Sequence, residues 1–307
     1  MESLERLAGT LSSLEDLQSI VRTMKALSAV SIRQYERAVR SLASYNRTVD
    51  LGLRVVLRDM PSARRRSRDH RDAPAGVVIV GSDHGLCGRF NEELAAFLLE
   101  HVRSRGPLGA RVLAIGSRLP PLLEEASVRV DAALVAPGSA PGIATTVNRL
   151  LVRIDAWVAD DGVASVHVLY QRRRSGARGH PVAQRLLPID LHRFHRLEQE
   201  PWPSPVLPTF GMGREQLFAA LARQHLFVTL FRACAESQAA EHASRLSAME
   251  AAERNLDERR AELLGMFRRQ RQEAITAELL DVVSGYEALA AGPSVADSTI
   301  ENPRPDT

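Results

Sequence analysis

Residues 81–94, GSDHGLCGRFNEEL, bring together most of the residue types that chemistry would use. Glycines at 81, 85 and 88 could let backbone amides close around a phosphate. Ser82, Asp83 and His84 supply a hydroxyl, a carboxylate and an imidazole, and Cys87 supplies a thiol. Each chemistry has its own geometric demand. The glycines follow G-x-x-x-G-x-x-G rather than G-x-G-x-x-G or G-x-x-x-x-G-K-[ST], and no Lys follows to reach a phosphate. A catalytic triad is assembled in space, whereas neighbouring side chains on an extended segment point different ways. The reading that uses more of these residues is structural. It is a tight turn from a strand into a helix, with glycines at the sharp positions, Asn91 as N-cap and an acidic first turn from Glu92 that suits the helix dipole.

Other candidate centres are weaker. Nine histidines form no metal-spaced cluster, and His192 and His195 lie in a Pro-rich stretch without an HExxH motif, so no metal or cofactor is expected. Cys87 and Cys234 are far apart with no CxxC, which fits a reduced, cytoplasmic chain. The arginines of DMPSARRRSRDHRDAP (59–74) and QRRRSGARGH (171–180) have no interleaved aromatic platform, so both read as solvated connections rather than nucleic-acid readers. With 40 basic against 37 acidic residues the charge is too mild to argue for nucleic acid. No apolar run approaches the roughly 18 residues of a membrane span, so any membrane link is expected to be indirect.

The elements that must position the turn are of two kinds. Residues 1 to about 58 carry Leu4, Leu7, Leu11, Leu14, Leu17, Val21, Met24 and Leu27, then Tyr35, Ala38, Leu42, Tyr45 and Val49. Alternating threes and fours predict a coiled-coil seam with a register slip in the middle, on one Pro-free helix of about 80 Å. Residues 213–291 form a second Pro-free pattern of about 115 Å, with an Ala-rich stretch at 233–252 that permits close packing. Between them, 76–80, 111–116, 165–170 and 182–189 read as strands, and the segments beginning at Asn91 and Gly142 read as helices, predicting a small α/β domain. The expected divisions are 1–58, a linker 59–75, an α/β domain with a Pro-rich connection over 76–212, 213–291, and a disordered tail 292–307.

Stretches in three regions of the chain, near its start, in its middle and near its end, together resemble the gamma subunit of F-type ATP synthases. LEDLQSIVRTMKALSAVSIRQYERA (14–38) is similar to that family's first helix. SDHGLCGRFN (82–91) resembles its S-D-R-G-L-C-G-G-L-N turn. EHASRLSAMEAAERN (241–255) and RQEAITAELLDVVSG (271–285) resemble its two C-terminal motifs. His84 stands where Arg is usual, Arg89 where the second Gly of the turn is usual, and Arg268 where Asn is common. These departures, with DLQSIVRTMKAL and SIRQYERA, are similar to the alternative, sodium-type branch.

The resemblance implies an α/β architecture in which two long terminal helices form an antiparallel coiled coil with an inserted small Rossmann-like domain. It implies a non-catalytic central rotor shaft on the cytoplasmic face of the membrane. Alpha and beta subunits would surround it, with the epsilon subunit and the membrane c-ring as further partners. Matched positions expected at subunit contacts are Met24, Lys25, Glu241, Arg245, Arg271, Gln272, Thr276 and Glu278; Asp83, Gly85, Cys87 and Gly88 mark the domain turn. On the residues alone Met24 equally suits a seam filler, and Thr276 and Glu278 equally suit exposed helix positions. A coiled-coil scaffold or adaptor with a ligand-binding α/β insert is the rival reading.

Overall fold

Without Pro to remove a backbone donor, the first segment can run as a single helix. In the computed structural model, which describes residues 4–58, 74–103, 111–173, 179–190, 202–206 and 208–290, α1 spans Leu4–Arg58 over 55 residues. Its buried positions include Leu7, Leu14, Val21, Ser28, Tyr35, Val49 and Val56, all in step with a seven-residue repeat, with Gln18 and Leu53 on the companion series. From Leu7 to Tyr35 the seam keeps one heptad register and the slip expected in the middle is absent, while buried Asp50 and Leu57 fall one place off it toward the helix end. The slip was suggested by apolar residues that lie off the seam: Leu17 and Leu27 are 48% and 63% exposed, while polar Gln18 and Ser28 take the buried places. Residue type misled where burial geometry decides.

The second long helix, labelled α5, spans Arg214–Ala290 over 77 residues. Two compact units divide the chain, one of Met1–Ile20 with Glu253–Thr307 and the other of Val21–Ala252. Inside the smaller unit the two helices are antiparallel. Gln18 Nε2 donates to Asp257 Oδ1 at 2.7 Å, Arg260 meets Glu15 at 2.8 Å, and Leu7, Leu14 and Leu263 cluster with Leu11, Leu256 and Phe267. Inside the larger unit the pairing is again antiparallel. Tyr45 donates to Gln224 at 2.9 Å, and Val49, Leu53 and Leu57 pack with Phe218 and Leu221.

The larger unit also holds a five-stranded sheet built of β1 (Ala75–Val80), β2 (Arg111–Ile115), β3 (Ala132–Leu134), β4 (Ser165–Arg172) and β5 (His180–Leu187). The order is β3-β2-β1-β4-β5, with β1 to β4 parallel and β5 antiparallel to β4. Continuous apolar runs such as Val77–Val80 suit strands covered on both faces. On one face Val77, Ile79, Val112 and Leu169 meet α2 (Phe90–Arg103) and α3 (Leu119–Glu125). On the other, Val78, Val80, Val166 and Tyr170 meet α4 (Gly142–Ala159), Tyr35 of α1 and Leu230, Ala233 and Cys234 of α5. The long helix is thus one layer of the domain.

Two elements go beyond the sequence expectation. α3 is only seven residues long and begins with two prolines, tolerated because the first-turn amides have no intrahelical acceptor. β3 is a three-residue edge strand, too short for alternation to reveal. Most of the expected linker at 59–75, most of the Pro-rich connection within 190–212, and the tail at 292–307 lie outside the described residues.

Gly116 follows β2 at φ +99°, its amide donating to Leu134 O at 2.8 Å. A Cβ there would lie 2.7 Å from the backbone of Ser82. Gly116→Ala is expected to lower unfolding free energy by at least about 2 kcal/mol. Gly138→Ala, which meets nothing within 4 Å, should change it by less than about 0.5 kcal/mol. Urea unfolding followed by circular dichroism compares the two.

Candidate functional site

A doubly wound parallel sheet offers a ligand crevice at the carboxyl edge, where strand order reverses. Here that point lies between β1 and β4, and protein fills it. Ser237 of α5 donates its hydroxyl to Val80 O at 2.8 Å and accepts the Gln171 amide at 3.4 Å. One fully buried hydroxyl therefore bridges the ends of both strands.

The turn after β1 is braced from within. Asp83 accepts the Ser117 amide at 2.8 Å with one carboxylate oxygen and the Ala136 amide at 2.9 Å with the other. It thereby ties together the chain leaving β1, β2 and β3, and both oxygens are committed to backbone. Asn91 is not the N-cap expected, because α2 already begins at Phe90. It accepts the Ser82 amide at 3.1 Å and donates to Ser82 Oγ at 2.8 Å, acting as a strut between turn and helix. Left-handed backbone falls at Leu86 and Gly88, φ 63° and 60°. Gly85 does not take it, and a Cβ there would meet only the Arg118 guanidinium, at 3.5 Å.

Cys87 is buried, and burial pushes its thiol pKa up, the Ser82 hydrogen bond only partly opposing. The thiolate that nucleophilic chemistry requires is disfavoured there. Ser82 donates to His84 O at 3.0 Å rather than to an imidazole nitrogen. No triad is formed by these neighbours.

A polar face of α5 closes over this turn. Arg245 Nη2 pairs with Glu241 Oε1 at 2.6 Å, both side chains under a tenth exposed, and it also donates to His84 O and Gly85 O at 3.4 Å each. Ser244 Oγ donates to Cys87 O at 2.6 Å. Positions 237, 241, 244 and 245 share one helix face at spacings of three and four. Burial raises the Glu241 pKa, with the Arg245 charge pulling it back. The pair stays together because either ion alone would be stranded without solvent.

A second attachment uses α1. Tyr35 OH donates to Pro137 O at 3.2 Å, and burial followed by the Glu241 charge moves its phenol up to about 12. Its ring stacks on His242 at 5.7 Å. Arg173 meets Glu36 of α1 at 3.2 Å, and Arg172 meets Glu236 of α5 at 2.9 Å. Part of the stretch expected as a solvated loop, 171–180, is therefore engaged. Gln171 is buried in β4, Arg172 and Arg173 are ion-paired, and residues 174–178 lie outside the described residues.

Of the residues named from sequence, Glu241, Arg245 and Cys87 are buried where α5 closes over the turn, Asp83 and Gly85 are half-buried beside them, and Gly88 is exposed. The side chains expected at subunit contacts at 241 and 245 are thus engaged inside the chain. Met24 and Lys25 are half-buried on α1, and Arg271, Gln272, Thr276 and Glu278 are exposed on α5, Thr276 donating to Gln272 O at 2.9 Å. Ser237 and Ser244 were missed. Their signal was present as polar residues at helical spacing inside an Ala-rich segment. Among the described residues no group of His, Cys, Asp and Glu is arranged to hold a metal ion.

His242 gives the cluster a pH signature. Burial first, then the Arg245 charge, lowers its pKa from 6.5 to about 4, so the unfolded chain binds its proton more readily. Its contribution to stability is then complete above about 6.5 and falls as pH drops toward about 4. Glu241, shifted up, acts with opposite sign. Unfolding measured from pH 7 to pH 4 should show a steeper acid loss in the parent chain than in His242→Gln; equal slopes would refute the assignment.

Comparison with known proteins agrees with this architecture over nearly the whole chain. The family model described as ATP synthase matches residues 3–289. The chain is 27% identical to the ATP synthase gamma chain of Nitrosomonas eutropha and 24% identical to that of Ralstonia nicotianae. Each alignment covers 94% of this chain and all of the relative. Its fold is similar to a chain in the OSCP/F1/c-ring structure of Euglena gracilis mitochondrial ATP synthase (TM-score 0.64, 16% identity, 97% of this chain and 98% of that one). It is also similar to one in the Tetrahymena thermophila central stalk and c-ring structure (TM-score 0.56, 16% identity, 76% and 99%). With the sheet's ligand crevice met by its own long helix and the family model spanning nearly all of both long helices, the chain belongs to the ATP synthase family.

Proposed function

We propose that the chain is the rotor shaft of an F-type ATP synthase, turning within a ring of alpha and beta subunits and joined to the epsilon subunit and the membrane c-ring. The observation that carries this reading is the family match over residues 3–289 on a chain whose two long helices pair antiparallel within each unit. A helix pair is asymmetric, so it presents different surfaces to successive beta subunits. Rotation then changes which catalytic site is favoured, through the difference in contact free energy between states.

Outward-facing apolar residues support a sheathed shaft. Ile275, Leu279, Leu280, Val282, Val283, Tyr286 and Leu289 on α5 are exposed, as are Leu17, Ile20, Leu27 and Val30 on α1. Exposed apolar surface of this extent marks a protein interface. The adaptor reading is not favoured, because its ligand-binding insert would need the crevice that Ser237 occupies. The chain is part of a membrane-associated complex, although among the described residues no helix is long and apolar enough to cross a membrane. We place it on the cytoplasmic face, with residues 1–58 and 213–291 as the shaft and the domain between as its base.

Within this reading Met24 and Lys25 face the ring, and Arg271, Gln272, Thr276 and Glu278 form a polar set for a beta loop. A tagged chain co-expressed with alpha, beta and epsilon should elute as one complex with them; a self-contained oligomer would refute the reading. Replacing Arg271 and Gln272 with Ala should reduce ATP synthesis in reconstituted complexes by roughly an order of magnitude, the effect of about 1.4 kcal/mol. Nucleotide affinity of isolated beta should stay the same. Unchanged synthesis would remove these two residues from the coupling surface.

A further inference from the structure

We infer that the α5 face of Ser237, Glu241, Ser244 and Arg245, locked onto the turn after β1, is the joint through which torque passes between the helix pair and the α/β domain. The inference rests on the rotor reading and assigns these residues a coupling role inside the chain.

Interdigitated apolar side chains already transmit strain between helix and sheet, and hydrogen bonds add fixed partners, distances and directions to that contact. Directional bonds resist shear. On the domain side every bond in this face ends on backbone: Val80 O and the Gln171 amide at Ser237, His84 O and Gly85 O at Arg245, and Cys87 O at Ser244. Force therefore enters the main chain of the sheet instead of a side-chain rotamer. The receiving turn is itself held, by Asp83 to the amides of Ser117 and Ala136 and by Asn91 to Ser82. Glu241 keeps the Arg245 guanidinium in place in a site nearly closed to water, where a charge-assisted bond is strong.

One attachment would still let the domain pivot about α5. The structure supplies others on the neighbouring helix, Tyr35 OH to Pro137 O and Glu36 to Arg173. Anchorage at separated points on two helices forms a couple and resists rotation about either one.

The test uses the full complex in sealed vesicles, comparing ATP synthesis driven by an imposed ion gradient with ATP hydrolysis by the same preparation. The Ser237→Ala/Ser244→Ala double variant should assemble and hydrolyse ATP within about twofold of the parent while gradient-driven synthesis falls at least about fivefold. Arg245→Ala should lower the synthesis-to-hydrolysis ratio further, and Arg245→Lys should recover part of it. A ratio unchanged in the double variant would overturn the joint even if Arg245→Ala fails to assemble. So would a parallel loss of both activities, which is what mere destabilisation produces. The parent complex is the separate control: if it assembles and synthesises ATP while the double variant keeps its ratio, the joint fails and the rotor reading stands. A parent chain that does not assemble with alpha and beta overturns both.

Discussion

The bond from Ser237 to the end of β1, shared with the end of β4, fixes the relation between the two halves of the larger unit. A helix can approach the carboxyl edge of a sheet this closely only if its side chains are small and its polar atoms find partners. Ala233, Ala235, Ala239 and Ala240 supply the first condition, all of them buried. Ser237, Ser244 and the Glu241–Arg245 pair supply the second. Once α5 occupies that edge, the phosphate-binding potential of the fold is gone, and a scaffold known for ligands becomes a fitting.

The glycine-rich turn follows the same logic. Its serine, aspartate and asparagine would suit catalysis if they faced a cavity, yet each is spent on backbone or on one another. Asp83 stabilises the exits of three strands, and Asn91 holds Ser82. Polar residues packed at this density against a buried ion pair resist deformation, because displacing any one leaves a desolvated group without its partner.

Much of this was legible in the sequence. The absence of Pro and the recurrence of apolar residues gave both long helices nearly to their ends, and the apolar runs located four of the five strands. What escaped depended on three-dimensional neighbours. The heptad register of α1 was obscured because Gln18 and Ser28, buried against other residues, do not announce themselves as seam positions, while exposed Leu17 and Leu27 do. Asn91 satisfied every local rule for an N-cap, and tertiary bonding to Ser82 overrode them. Gly85 looked like a conformational necessity, whereas Leu86 takes the left-handed backbone. The clamp residues on α5 carried only a weak spacing signal, since a serine on an Ala-rich helix is uninformative until the carbonyl it meets is known.

Pairing between residues such as Gln18 and Asp257, 239 positions apart, has a consequence for biosynthesis. The N-terminal helix leaves the ribosome long before its partner exists, and an isolated amphipathic helix has little stability in water. The α/β sheet is joined by nearer connections, yet one of its covering layers is α5, so its core is complete only when the last helix arrives, and closing so long a loop adds only a slowly growing entropic cost. The domain in the middle of the chain is then the surface to which both ends are fixed, Tyr35 from the first helix and Ser237 from the last, so its own completion and the pairing of the ends are one event.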